Sequence, residues 1–233
     1  MKTKILLVAA TMLTSSLLVA QAGPADDVTS AAQKLGGEAN YSWKMTVVVP
    51  ADSRFKPGPS EGKTEKSGVT YVKMSFRENT TEIYMEGTNA VLTDPDGGWQ
   101  TLADAASDDQ GPGRFMVGMV RNFKTPDLQA ADLVADAQDL EETNGAYASA
   151  LSTDGAKKLM TFRRGGNATV SNPAGTVMFW VSNGELTKFE YHVTGMMNFG
   201  DNDVPVDRDT TVEISDVGTT KIEVPDDVKS KMP

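Results

Sequence analysis

The chain has 233 residues, with 22 Lys and Arg against 32 Asp and Glu, a net charge of −10, no cysteine and one histidine. The absence of cysteine excludes a disulfide framework, a thiol nucleophile and thiolate metal centres; with His192 as its only imidazole, the H-E-x-x-H zinc chemistry is excluded too. The acidic balance argues against nucleic acid, while 39% apolar and 23% charged residues are ordinary for a globular protein.

Residues 1–22 read as an export signal. Lys2 and Lys4 precede an apolar stretch from Ile5 to Ala20, and Ala20-Gln21-Ala22 supplies a small-residue cleavage site before Gly23-Pro24. An uncleaved membrane anchor is the competing reading, because the apolar stretch approaches spanning length. Thr11, Thr14, Ser15 and Ser16 interrupt it, which favours cleavage. No cysteine follows, so lipid attachment at a mature N-terminal cysteine is excluded. Residues 23–233 are then expected to form one domain, secreted or periplasmic, with no further transmembrane run.

After Gly23, the spacing of Val28, Ala31, Ala32 and Leu35 predicts an amphipathic helix ending at Gly36-Gly37. From Tyr41 to Val47 apolar and polar residues alternate, as in a half-buried strand. Ala51 to Ser67, rich in Pro and Gly, reads as an exposed loop. Strands follow at Val69–Phe76, Thr81–Glu86 and Ala90–Thr93, then turn chemistry at Asp94 to Gly98 before Trp99. Phe115, Met116, Met119, Val120 and Phe123 lie at helical spacing. Thr125-Pro126 predicts a capped helix running to about Glu142, with Leu128, Ala131, Val134, Ala137 and Leu140 inward and a stop before Asn144-Gly145. Tyr147–Leu151 reads as a short strand, and Ser152-Thr153-Asp154 as the cap of a helix carrying Leu159 and Met160.

Val177–Val181 and Leu186–Thr194 flank Asn183-Gly184, a strong hairpin signal. A second hairpin is expected from Thr210–Ser215 and Thr219–Val224. Unbroken pairing outward from Asn183-Gly184 would set Trp180 opposite Thr187 and Met178 opposite Phe189. Met178, Trp180, Phe189, Tyr191 and Val193 would then share one apolar face, with Phe179, Lys188 and Glu190 on the other. The fold class is therefore α+β with an antiparallel sheet, its apolar face covered by the helices between the strand groups.

Several segments resemble the LolA-like superfamily of periplasmic lipoprotein carriers and its LppX-type relatives. They are the helix after the signal, the strand with Tyr41 and Trp43, Asp96 to Trp99, the helix from Pro126, Phe179-Trp180-Val181 with its Asn-Gly turn, and Thr211 to Gly218 leading into Ile222 to Asp227. The resemblance implies an incomplete antiparallel barrel curled around the inserted helices, with a cavity for acyl chains. Trp43, Met45, Met74, Phe76, Met85, Trp99, Met178, Trp180, Phe189 and Tyr191 are the apolar residues expected to line it. Methionines suit such a wall because thioether chains adapt their shape, although plain core filling uses them equally well.

Signals for chemistry are few. His192 reads as a surface histidine beside Lys188 and Glu190, with no Ser or carboxylate motif around it. Asp201, Asn202, Asp203, Asp207 and Asp209 lack EF-hand spacing and read as a solvated loop. Asn40, Asn79 and Asn167 head glycosylation sequons, and Arg163-Arg164 is a small basic patch. Phosphate-binding Gly loops and the G-x-S-x-G elbow are missing. The expectation is a non-enzymatic binder or carrier of a lipid or other hydrophobic ligand, without cofactor, metal or nucleic acid, and with an envelope protein as a further potential partner. The alternatives are a structural or interaction module with a filled core, or a hydrolase using paired carboxylates.

Overall fold

The computed structural model describes residues 23–53, 56–76, 79–94, 96–107, 113–161, 169–199 and 202–232. The export signal, Asp201, Asn167, and Arg163 with Arg164 lie outside them, as does the side chain of Phe76.

Helix α1 (Pro24–Gly37) begins with Pro24 in its first turn and buries Val28, Ala31, Ala32 and Leu35, the four residues its spacing singled out. It leads into β1 (Asn40–Val48), the central strand of an eleven-stranded sheet whose neighbours are all antiparallel. One wing continues through β2 (Ser60–Glu65), β3 (Val69–Phe76), β4 (Asn79–Glu86), β5 (Asn89–Thr93) and β6 (Trp99–Thr101). Helices α2 (Leu102–Ser107), α3 (Gly113–Arg121) and α4 (Pro126–Asp136) follow. The other wing holds, in chain order, β7 (Glu141–Thr143), β8 (Ala146–Ala150), β9 (Thr169–Ser182), β10 (Glu185–Phe199) and β11 (Asn202–Ser215), with α5 (Thr153–Thr161) between β8 and β9. β11 pairs with β1 and joins the wings. β6 and β7 form opposite edges and do not meet, so the sheet is an incomplete barrel of α+β class, as expected.

Helices α1 to α5 lie on one face of this sheet, and a short helix, Asp226–Lys229, lies on the other. α1 and α5 pack on β9 and β10, α4 packs on α1, and α2 touches β5 and β6. The main core lies under them. The opposite face of the β3–β6 wing has its own small core, where Tyr71, Tyr84, Val91 and Trp99 are covered by Ile222, Val224, Val228 and Met232.

Four expectations need correction. The loop expected over Ala51 to Ser67 contains β2, and Gly62 within it accepts the Trp43 ring. A Cβ on Gly62 would stand 2.0 Å from Trp43 Cζ2. The glycine that looked like loop composition is a seat for an aromatic side chain.

The helix from Pro126 stops at Asp136 and buries Pro126, Ala130 and Leu133, leaving Leu128 exposed. Asn144-Gly145, expected to end that helix, is instead the turn of the β7–β8 hairpin, with φ of 53° and 79°.

Thr219–Val224 is no strand. It is an extended strap across the outer face, tied by Ser42 Oγ and Thr220 Oγ1 at 2.7 Å and by Ile222 N donating to Glu65 Oε1 at 2.8 Å.

The fourth correction concerns register. Asn183 and Gly184 do form the turn, with φ of 53° and 74°. Between Leu186 and Lys188, however, a bulge inserts Thr187 without a partner, so Lys188 faces Trp180 and Phe189 faces Phe179. One extra residue reverses the faces beyond it. Phe179 and Phe189 are fully buried on the helix side, ring centroids 6.3 Å apart, while Met178 and Trp180 turn outward.

Candidate functional site

The concave side is read most directly along cross-strand rows. One row runs Phe179, Phe189, Val212, Met45, Ser60 and Met74 across β9, β10, β11, β1, β2 and β3. Cross-strand partners share a face, so these side chains all point toward the helices. Exposure changes along the row. Phe179, Phe189 and Val212 are fully buried; Met45 and Met74 are only partly so. Met119 of α3 and Phe123 after it are also half-buried against this core, and the Phe123 ring lies 6.2 Å from that of Trp43.

Where the β9–β10 turn approaches the end of α1, helix and sheet leave a pocket of about 270 Å³. Leu35, Leu186, Ile214 and Val217 give it an apolar lining. Lys34, Glu38, Glu185 and Thr187 complete it with polar groups. Lys34 Nζ donates to Glu185 Oε1 at 2.9 Å, an ion pair between α1 and β10 with both side chains about half exposed. The bulge positions this pocket. By shifting the register after Leu186, it lets both Leu186 and Phe189 face inward, three residues apart.

Two tyrosines pin helices to the sheet. Tyr41 OH donates to Asp127 Oδ1 at 2.6 Å, joining β1 to α4, and Tyr147 OH donates to Asp27 Oδ2 at 3.2 Å, joining β8 to α1. Burial raises the Tyr41 hydroxyl pKa well above the usual tyrosine value, and the bond to the Asp127 carboxylate adds to the rise.

The outer face differs in kind. Lys188, Glu213, Lys44, Glu61, Lys73 and Glu82 occupy successive partner positions from β10 to β4, a row of alternating charge. Trp180 stands at its end, its ring centroid 3.6 Å from Lys188 Nζ, which also donates to Glu190 Oε1 at 3.1 Å. Beside this row lies a groove of about 600 Å³ lined in part by Asp139, Glu141, Glu190, His192 and Asp209. His192 Nδ1 is 2.8 Å from Asp209 Oδ1, and its Nε2 is 3.6 Å from Asp207 Oδ1. Asn202, Asp203, Asp207 and Asp209, expected in a loop, therefore belong to β11, and Asp207 and Asp209 give His192 carboxylate neighbours that its sequence context did not show. Among the described residues no group of three or more His, Asp or Glu is placed to hold a metal ion, and no helix is long and apolar enough to cross a membrane.

Of the residues expected to line a cavity, Trp43, Met45, Met74, Met85, Phe189 and Tyr191 belong to the helix-side core. Trp99 lies on the other face under the C-terminal strap, and Met178 and Trp180 point outward beside Glu190 and Lys188. Phe76 pairs through its backbone with Asn79. Leu35, Leu186, Ile214, Val217, Lys34 and Glu185 were missed. Leu35 already stood out on the apolar stripe of α1, but the others depend on the bulge and on how α1 packs.

No protein-family model matches the chain, and comparison with curated protein sequences finds no match. Among solved structures, the chain is similar to the lipoprotein LppX of Mycobacterium tuberculosis, at 10% identity over 87% of this chain and 98% of that one, with a TM-score of 0.48. It is also similar to LprF from Mycobacterium bovis, at 9% identity over 88% of this chain and 97% of that one, with a TM-score of 0.46.

Proposed function

We propose that the protein is an exported, non-enzymatic binder or carrier of a lipid or other hydrophobic ligand, held between curved sheet and helices. Residues 23–233 act as one domain, delivered by cleavage after Ala22 to the periplasm or the exterior. The observation that carries this reading is the pocket between α1 and the sheet, where Leu35, Leu186, Ile214 and Val217 form the apolar part of the lining and Lys34, Glu38, Glu185 and Thr187 the polar part. The half-buried Met45, Met74, Met119 and Phe123 support it. Large apolar side chains left partly in water forgo about 25 cal/mol for each Å² still exposed, which an apolar ligand would recover. Unbranched methionines can reshape around such a ligand at low cost.

The experiment is native mass spectrometry of protein purified from its own host, with titration of a fluorescent fatty acid. Co-purified amphiphile, or saturable uptake weakened by Val217→Trp filling the pocket, is the expected result. No bound molecule and no uptake would overturn the reading. A filled-core structural or interaction module has its own support in the close packing around Phe179, Phe189 and Val193, and would then be preferred.

A further inference from the structure

The inner face of β11 departs from its own pattern at two adjacent positions. Cross-strand pairing with β10 sets Val204, Val206, Arg208, Thr210 and Val212 on the helix side, and Ile214 continues the row opposite Trp43. All are branched apolar residues except Arg208 and Thr210, which are successive residues on one face of one strand. The carboxylates that flank Arg208 in sequence, Asp207 and Asp209, point to the opposite face, where they border His192.

Packing accounts for only part of this. Arg208 Nη2 donates to the Leu159 carbonyl in the last turn of α5 at 2.9 Å, which fixes the guanidinium beside that helix end. A guanidinium carries five N–H donors in one plane, and this carbonyl takes one. The side chain is half-buried, within reach of an incoming molecule. Thr210 is 2% exposed, and its Oγ1 has no hydrogen-bond partner in the protein. A valine there would fill nearly the same volume without stranding a hydroxyl, and buried hydroxyls are as a rule paired. Next to Thr210 the inner face becomes apolar and incompletely covered: Val47 opposite it on β1, Met45 on the same strand, and Met74 on β3 are all half-buried.

We propose that Arg208 and Thr210 receive the anionic head of an amphiphile, a carboxylate or a phosphate, whose chain runs over Val47, Met45 and Met74. The guanidinium supplies charge and N–H donors to the head's oxygens, and the Thr210 hydroxyl donates a further hydrogen bond. A cationic head meets like charge at Arg208, and a neutral head forms no ion pair there. This inference rests on the hydrophobic-ligand reading above and names the ligand's head.

The test is calorimetric titration of the mature chain with four dodecyl-chain probes: dodecanoate, dodecyl phosphate, monododecanoylglycerol and dodecyltrimethylammonium. Acetate and inorganic phosphate are the chainless arms. The anionic amphiphiles should bind at least about tenfold more tightly than the other probes, as one charge-assisted contact allows, and the tighter of the two identifies the head. Arg208→Gln, whose amide can still donate to the Leu159 carbonyl, should remove that advantage and leave binding of the neutral monododecanoylglycerol unchanged. Thr210→Val should lower the affinity for the anionic probes without lowering the urea midpoint, a combination that a purely structural hydroxyl would not give. A neutral or cationic probe binding as tightly as the anionic ones would overturn head recognition while leaving the hydrophobic-ligand reading intact. An anionic advantage that survives both substitutions would do the same. Chainless anions binding as tightly as the amphiphiles would assign the site to a soluble anion and overturn the proposal. No binding of any probe would overturn both readings.

Discussion

Two stretches of one cross-strand row, β9–β11 and β1–β3, carry apolar side chains and treat them differently. Under α1, α4 and α5, Phe179, Phe189 and Val193 on the inner face of β9 and β10 are each 0% accessible. From β1 to β3, the same cross-strand row continues with Met45 and Met74, which remain partly open. The difference teaches that an apolar residue's place on the inner face does not set its energetic role; the helix above it does. The β9–β10 end of this row is structural core, while Met45 and Met74 keep adaptable apolar surface beside Val72, Ile83 and Met85, which are buried.

The sharpest way to break that contrast is a pair of truncations. Phe189→Ala should cost about 3–5 kcal/mol in urea unfolding, the cost of a cavity in a close-packed core. Met74→Ala should fall below the ~2–5 kcal/mol typical of buried methionine, since much of its surroundings is already open. Equal losses per atom removed would mean that the two ends of the row are packed alike.

Gly62→Ala probes the junction of the wings. The added methyl meets the Trp43 ring, so the ring or β2 must move, at about 1–3 kcal/mol for overpacking. An unchanged melting temperature would remove Gly62 as the seat of Trp43.

The third prediction concerns alkaline pH and the bond that ties β1 to α4. The folded-state pKa of Tyr41 is raised, so the hydroxyl's contribution to stability is complete below the unfolded value and declines as pH climbs past it. Stability should therefore fall above about pH 10, with this one group contributing a slope of up to about 1.4 kcal/mol per pH unit. Tyr41→Phe should weaken the fold at neutral pH, by loss of the Asp127 bond, and flatten that alkaline slope. A slope unaltered in the variant would show that Tyr41 is not its source.

The smallest effect is expected at Trp180. Because it lies outside the concave side, Trp180→Ala should cost about 1 kcal/mol or less, mainly its contact with the Lys188 ammonium, and should leave apolar-probe uptake unchanged. A core-sized loss would return Trp180 to the interior and with it the unbulged register.

Much of the fold was legible because local chemistry determined it. The four buried residues of α1 follow from helical spacing, the Asn183-Gly184 turn from its need for positive φ, and the Thr125-Pro126 start of α4 from its backbone preferences. β2 was hidden because Gly62 is chosen for what lies over it, not for strand propensity. The end of α4 was misplaced because Asn144-Gly145 serves helix stops and hairpin turns equally well.

The sequence by itself determined the class: an antiparallel sheet with helices inserted between strand groups, no thiol chemistry, and an apolar inner face. Tertiary structure alone decided which residues occupy that face and where it stays open. The physical reason is the period of a strand. With side chains alternating every residue, the single unpaired Thr187 exchanges Trp180 for Phe179 in the core. Nothing in the composition of the two strands distinguishes the bulged pairing from the regular one; the burial of Phe179 against Phe189 beneath the helices does.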